Sequence, residues 1–399
     1  MSTSLKIIRQ NGGIKPVAES NDERSGILMY MPDANLPSGF STSERIKKIS
    51  TLEEAESLGI ISTAQITDSQ GQSQANYYVR SLWYHIREAF AINEALELWV
   101  GLFVEPATMD FTEVKTMQLF ANGEIRQIGV YAPDKELAKE DVKALQAVAT
   151  VLENADMPLS IVYVAKVTDV TSMTDCTGKG NRNVSVLVGQ EMDTNSYAYG
   201  LYNAWQKPVG SIGTAIGTIS LAGVEQCIAN VSDFDTKISV AGFVDGKKYR
   251  DLTLTQREDL EDKRVLFFKT YAGYSGVYFN DSYTQDVKDS DYNAIERMRV
   301  MDKAARGVRE YLLPYVAGNI TIDAQTGKID ATDIAVMRNE GQRYLEYMEK
   351  RGELSGYKVE IDSEQNILST SELEIVIKQV PKGVMRKITV KMGYSESVE

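Results

Sequence analysis

One histidine, two cysteines and three tryptophans in 399 residues leave few of the side chains that metal centres and nucleophilic active sites use. His85 and Glu88 stand one helical turn apart, but no third ligand accompanies them. A polar helix residue is therefore the plainer reading of His85 than half of a metal site. Cys176 and Cys227 have no short ligand spacing, and so few thiols fit a reducing compartment without structural disulfides. No flanking motif supports a serine or cysteine nucleophile. No run of about 18 apolar residues exists, so no spanning helix is expected. The opening MSTSLKIIRQNGG has no apolar signal core, and folding in the cytoplasm is expected. Excess positive charge is missing as well. Fifty-six acidic residues against 43 basic ones give a net charge of −13, which argues against nucleic acid as the main partner. The same repulsion keeps free subunits soluble.

What is present is ordinary soluble-protein composition, 43% apolar and 25% charged, in a length that suggests two or three domains. Leu5, Ile7 and Ile8 lie in a short alternating strand, broken by Asn11-Gly12-Gly13. Residues 26–30 are a compact apolar run suited to a buried strand. Thr51 and Glu54 form a capping-box pattern for a helix that ends at Gly59. Tyr78, Leu82, Ile86 and Phe90 recur every four residues and predict a helix over 75–91. Strands are expected at 96–104, 125–131, 159–166 and 184–189. Helices are expected at 111–120, at 134–154 capped by Asp134, at 198–205 and at 224–231. Short strands are expected at 237–240, 265–269 and 277–279. This alternation argues for an α/β layer.

The last third changes character. A helix over 291–315 carries the apolar positions Ile295, Met298, Met301, Ala305, Val308 and Leu312, and a second spans 332–351, closed by Gly352. Three alternating strands follow at 357–361, 372–379 and 384–392. The boundaries read as an N-terminal arm over 1–25, an α/β region over 26–284 and a helix-and-sheet domain over 285–399. The fold class is thus mixed α/β and α+β with extended terminal arms.

Several patterns mimic ligand sites. Gly210, Gly213 and Gly217 have neither the dinucleotide nor the P-loop spacing, and a tight loop against the core explains them better than a phosphate cradle. Gly178-Lys179-Gly180 is a weaker imitation that reads as a loop. Asp323, Thr326, Gly327, Asp330 and Asp333 match part of a calcium loop, but turn and helix-cap roles account for them. The tyrosines over 271–283 read as core or interface packing. No catalytic, cofactor-binding or metal residue is assigned, and no cofactor is expected.

The residues that carry a resemblance lie mainly in the C-terminal third. They are the helix Glu296-Arg297-Met298-Arg299-Val300-Met301-Asp302, the turn at Gly352, the strand from Leu373 to Val380-Pro381 and the ending Ile388-Thr389-Val390-Lys391-Met392. Upstream, residues 257–279, the opening Gly26-Ile27-Leu28-Met29 and the stretch from Ile49 to Gly59 add to it. Together these resemble the tail sheath proteins of contractile phages and related injection machines, in a compact, divergent branch. The resemblance is strongest over 255–395, and residues 95–250 share only α/β character.

The resemblance implies a structural subunit, not an enzyme, that polymerises as stacked, hexameric rings around an inner tube and contracts to drive it through a target envelope. The implied partners are copies of itself, the tube protein, and baseplate and terminator proteins, with neither nucleic acid nor membrane insertion. It also implies that terminal arms exchange strands with neighbours. Leu5, Ile7 and Ile8 at one end and Ile388, Val390 and Met392 at the other are the candidate linking residues. From the residues alone, pairing within the subunit and exchange between subunits both remain open. Arg338, Arg343, Lys350 and Arg351, interleaved with glutamates, are the candidate tube-facing cations, against the plain alternative of a solvated helix face. A different self-assembling shell protein, or an α/β nucleotide-binding enzyme using the Gly210–Gly217 stretch, are the competing readings.

Overall fold

The computed structural model describes residues 21–67 and 70–394. The strand expectation at Leu5, Ile7 and Ile8 lies outside them. Six strands build the main sheet: β1 (Ser25–Tyr30), β2 (Ile46–Ile49), β3 (Leu98–Phe103), β4 (Gln127–Glu136), β5 (Ser160–Lys166) and β6 (Val184–Val186). Their order is β2-β3-β1-β4-β5-β6, with β2 antiparallel to β3 and every other pair parallel. Every residue of β1 is buried, as a strand covered on both faces requires. Four helices cover the sheet: α1 (Tyr77–Ile92), α2 (Thr112–Phe120), α3 (Lys139–Asn154) and α4 (Ile212–Leu221).

Strand alternation assigns the helices to faces. Tyr131 of β4 meets Tyr77 and Ser81 of α1, and Gly129 meets Ile212 and Ile216 of α4. Val130 lies opposite Tyr163 in the register, and Tyr163 reaches Asp141 of α3. Helices α1 and α4 therefore share one face, and α2 and α3 the other. The strand order reverses direction at β1, where open α/β sheets usually leave a ligand crevice. Phe111, fully buried with a left-handed φ of 58°, places its ring against Tyr30 and Tyr163 on the α2 and α3 side.

The glycine stretch is a helix, not the loop expected. Gly213 and Gly217 lie within α4, where a Cβ on Gly213 would stand 2.0 Å from the His85 carbonyl oxygen. A Cβ on Gly217 would stand 2.9 Å from that of Ala89. The four-residue spacing puts both glycines on one helix face, so α1 and α4 touch backbone to backbone. His85 is buried at that crossing, edge-on to Tyr131, and burial pushes its imidazole down to about 3.

Other expectations shift for local reasons. Thr51 caps the helix Leu52–Ser57 by accepting from the Glu54 amide at 3.1 Å, as expected. Asp134 does not cap α3. It stays in β4 and pairs with Lys207 at 2.5 Å, while Asp141 accepts from the Ala138 amide at the helix start. Residues 224–231 form turns rather than a helix, closed in part by Gln226 on the Gly223 amide. The strand expected at 237–240 falls instead at Ala241–Phe243, paired with Gly189–Glu191. Asp323 and Asp330 do serve as turn and cap, accepting from the amides of Thr326 and Thr332. Both cysteines are free thiols.

The remaining chain forms α5 (Ile295–Leu312), α6 (Ala331–Lys350) and an antiparallel hairpin of β7 (Leu354–Glu360) and β8 (Val376–Pro381). These elements all lie within the 285–399 stretch expected to hold helices and strands. A Cβ on Gly307 would stand 2.0 Å from Tyr344, so α5 and α6 also cross closely.

The two kinds of glycine predict opposite responses. Gly213→Ala should destabilise the fold by about 2 kcal/mol or more, since a methyl group has no space at the helix crossing. Gly200→Ala, on an exposed helix surface where a Cβ meets nothing within 4 Å, should stabilise it slightly through helix propensity. Thermal melts of the two variants check this.

Candidate assembly interface

Helix α5 does not bury the purely apolar stripe expected of it. Its buried side chains include Glu296, Arg299, Asp302 and Lys303, whereas Ala305 is exposed and Met301, Val308 and Leu312 are half-exposed. Charged groups are tolerated there because other segments bring partners. The Lys303 ammonium, 2% exposed, donates to Asp22 at 2.6 Å and to Glu353 at 2.8 Å. Burial raises the Asp22 carboxyl, but Lys303, with Arg299 and Arg306 behind it, outweighs that and holds it below its usual value. The Arg299 guanidinium donates to the carbonyls of Ala222 and Gly223, and burial lowers it to about 10.

The four candidate tube-facing cations lie on or just after α6. Arg343 and Lys350 are seven residues apart and share a face. Arg343 pairs with Glu340 at 3.2 Å, and Lys350 with Glu346 at 2.6 Å. Arg338 is exposed and stands roughly 140° around the helix from Arg343. Arg351 turns back to Glu353 at 2.9 Å and to the Tyr347 hydroxyl. The helix thus presents one paired cationic ridge, with Arg338 apart from it.

The two strands of the hairpin leave an unpaired backbone edge on each side. Ile377 packs inward against α6, while Val376 and Val380 remain exposed. Residues 384–392 do not form the third strand expected. Ile388, Val390 and Met392 are 72, 72 and 91% exposed and lie outside any ladder. Within this segment the Arg386 guanidinium is bonded to Asp281 and Glu296 of the folded body.

A cavity of about 330 Å³ separates the C-terminal end of α3 from α5. Arg182, Tyr292, Asp302, Arg306 and Arg309 line it. Arg182 is occupied by Glu153 at 2.7 Å, Arg309 by Asp156 at 2.8 Å, and Arg306 lies 3.6 Å from Asp22. Among the described residues Asp302 has no hydrogen bond or ion pair, and burial pushes its carboxyl up to about 7. Sequence reasoning quoted Asp302 within its helix motif but gave it no role, because nothing in the spacing shows that the site is buried. Among the described residues no three His, Cys, Asp or Glu side chains converge as a metal site, and no helix is long and apolar enough to cross a membrane.

Two family models match, the DUF2586 N-terminal domain over residues 36–283 and the DUF2586 C-terminal domain over 291–399. The chain belongs to the DUF2586 family. A protein of Haemophilus phage HP1 (strain HP1c1), provisionally named a tail sheath protein, is 43% identical to the DUF2586 chain over 63 residues. That match spans 16% of the DUF2586 chain and 17% of the relative's length. Among solved structures, the helical sheath of the anti-feeding prophage in its contracted state is similar at a TM-score of 0.62 and 15% identity. The match covers 98% of the DUF2586 chain and 99% of that one. The PVC sheath complex of an extracellular contractile injection system, also contracted, is similar at a TM-score of 0.61 and 11% identity, covering 99% and 98%. At these identities the matches show the fold: the DUF2586 chain has the fold of contractile sheath subunits over nearly its whole length. The resemblance read in the C-terminal third and the mixed α/β class are both borne out.

Asp302 predicts a pH effect. An aspartate unfolds to a pKa near 3.9, so a native value of about 7 means that ionisation opposes folding. The penalty is absent below the unfolded value, grows as pH rises from there to the native value, and is complete above it. His85, buried neutral, gives the opposite slope below pH 6.5, so the variant rather than the wild-type curve isolates Asp302. Asp302→Asn should raise the melting temperature at pH 8 by a few degrees and by roughly a third as much at pH 5, where only the first part of the penalty has accrued.

Proposed function

We propose that this chain is the repeating subunit of a contractile sheath. Copies stack as rings, hexameric by the resemblance, around an inner tube, and a collective change in their packing drives that tube through a target envelope. The subunit acts as a structural part, and the energy resides in subunit contacts rather than in a chemical step. Assembly takes place in the bacterial cytoplasm, with tube, baseplate and terminator proteins as the other partners.

The observation that carries this reading is the open hairpin β7–β8 beside an unpaired, alternating C-terminal segment, in a chain that matches contracted sheaths end to end. A strand cannot satisfy its backbone groups alone, and joining a neighbour's sheet edge does so. Each such bond is worth about 1 kcal/mol net. Several per arm, repeated through a polymer, link the rings while leaving the folded bodies free to reorient. Leu5, Ile7 and Ile8 would serve the same end of the linkage from the N-terminal side. The cationic ridge of α6 would meet the tube through exposed, screened ion pairs, which suit a contact that must release.

Expressed alone, the protein should form hollow helical cylinders in negative-stain images. Ile388→Asp, Val390→Asp and Met392→Asp together should leave the monomer's melting temperature unchanged, since these side chains are exposed, and should abolish the cylinders. Cylinders that persist would rule out linkage through this arm. Arg338→Glu, Arg343→Glu and Lys350→Glu together should retain cylinder formation and fail to assemble on tubes. Normally sheathed tubes from that variant would remove α6 from the tube interface.

A further inference from the structure

Over residues 382–394 the chain has no secondary structure and is largely exposed, yet one side chain is held. The Arg386 guanidinium donates to both Asp281 carboxylate oxygens at 2.9 and 3.0 Å, to Glu296 at 2.6 Å and to the Ser282 hydroxyl at 3.2 Å. The receiving site belongs to the folded body. The side chains of Asp281 and Glu296 are 9 and 3% exposed. Ser282 donates its own hydroxyl to Glu296 at 2.6 Å, which orients that carboxylate. Two buried carboxylates converging on one hydroxyl need a cation, and a planar guanidinium matches that geometry better than an ammonium. Arg264, the other arginine near the site, is already committed to the carbonyls of Thr284 and Asn293.

Glu296 lies on α5, and so does Lys303. The seven-residue spacing places them on one face, about 10 Å apart along the axis. Lys303 holds Asp22, next to the first 20 residues, and Glu353, in the turn that leads into the hairpin β7–β8. The chain at both ends of the folded body, and the hairpin itself, are therefore fastened to a single helix by buried ion pairs.

We propose that Asp281, Ser282 and Glu296 form a guanidinium-binding site whose ligand is Arg386 of the same chain, and that α5 is the common anchor of both terminal arms and of the hairpin that receives an arm. The C-terminal arm then swings from Lys387 onward while Arg386 stays with its own body. Pull exerted by a neighbour on either arm then reaches α5, which on the N-terminal side shares it with the sheet through the Gln127 amide on the Asp22 carbonyl. The anchor within the monomer stands on its own geometry; its mechanical role rests on the sheath reading.

The test begins with the monomer. Arg386→Gln strands two buried carboxylates and should lower the melting temperature by several degrees. Adding Asp281→Asn and Glu296→Gln to it should recover most of that loss. An arginine-specific protease should spare the bond after Arg386 in the wild-type monomer and cut it in the Asp281→Asn, Glu296→Gln variant. Equal cutting in both, or no recovery in the triple variant, overturns the site whatever the assembly does. In cylinders, the triple variant and a Lys303→Met, Asp22→Asn variant should each dissociate at lower guanidinium chloride than wild type. Unchanged dissociation for either overturns the shared anchor. Failure of the wild type to form cylinders would instead overturn the sheath reading, with the monomer results still deciding the site.

Discussion

An ammonium group removed from water stays there only if carboxylates follow it, and the architecture around α5 rests on that requirement. Lys303 draws together Asp22, 281 positions earlier in the chain, and Glu353, 50 positions later. Removing one partner of such a buried cluster leaves a charge without solvent or counter-charge, a loss of several kcal/mol. The cluster therefore fixes geometry more than it adds net stability. It sets where the N-terminal segment enters β1, where α6 ends and where the hairpin begins. Arg386 and Glu296 repeat the device two turns away with the charges reversed in origin: the body supplies the anions and the arm supplies the cation.

The α/β part is built on a different constraint, close approach of backbones. Gly213 and Gly217 bring α4 onto α1, Gly129 brings α4 onto β4, and both contacts leave no room for a Cβ. The same residues that resembled a phosphate loop are thus used for packing. Phe111 lies over the sheet beside the point where strand order reverses. On the sheath reading, a body packed this closely would move as a unit while its arms bend.

Stability and assembly divide between these regions. The alternating residues Ile388, Val390 and Met392 are exposed in the isolated fold, and on the proposed reading their apolar character is used against a neighbour's sheet edge. Asp302 sits between the two parts, buried and, among the described residues, without a hydrogen bond or ion pair. Burial raises its carboxyl, whereas the other buried carboxylates of the described residues are mostly paired.

The sequence determined the elements with strong local signals. The buried run at Gly26–Met29, the Thr51 cap, the four-residue stripe of α1 and the closing Gly352 all stand where periodicity and capping put them, because hydrophobic spacing and cap hydrogen bonds are local. The alternation at 384–392 was legible too, but whether it pairs was not. The tertiary structure alone decided that Gly213 and Gly217 lie in a helix, that α5 buries Glu296, Arg299, Asp302 and Lys303, and that Arg386 is held by Asp281 and Glu296. Those outcomes depend on partners tens to hundreds of residues away. A charged residue carries no mark in the sequence of whether water or a distant carboxylate will solvate it.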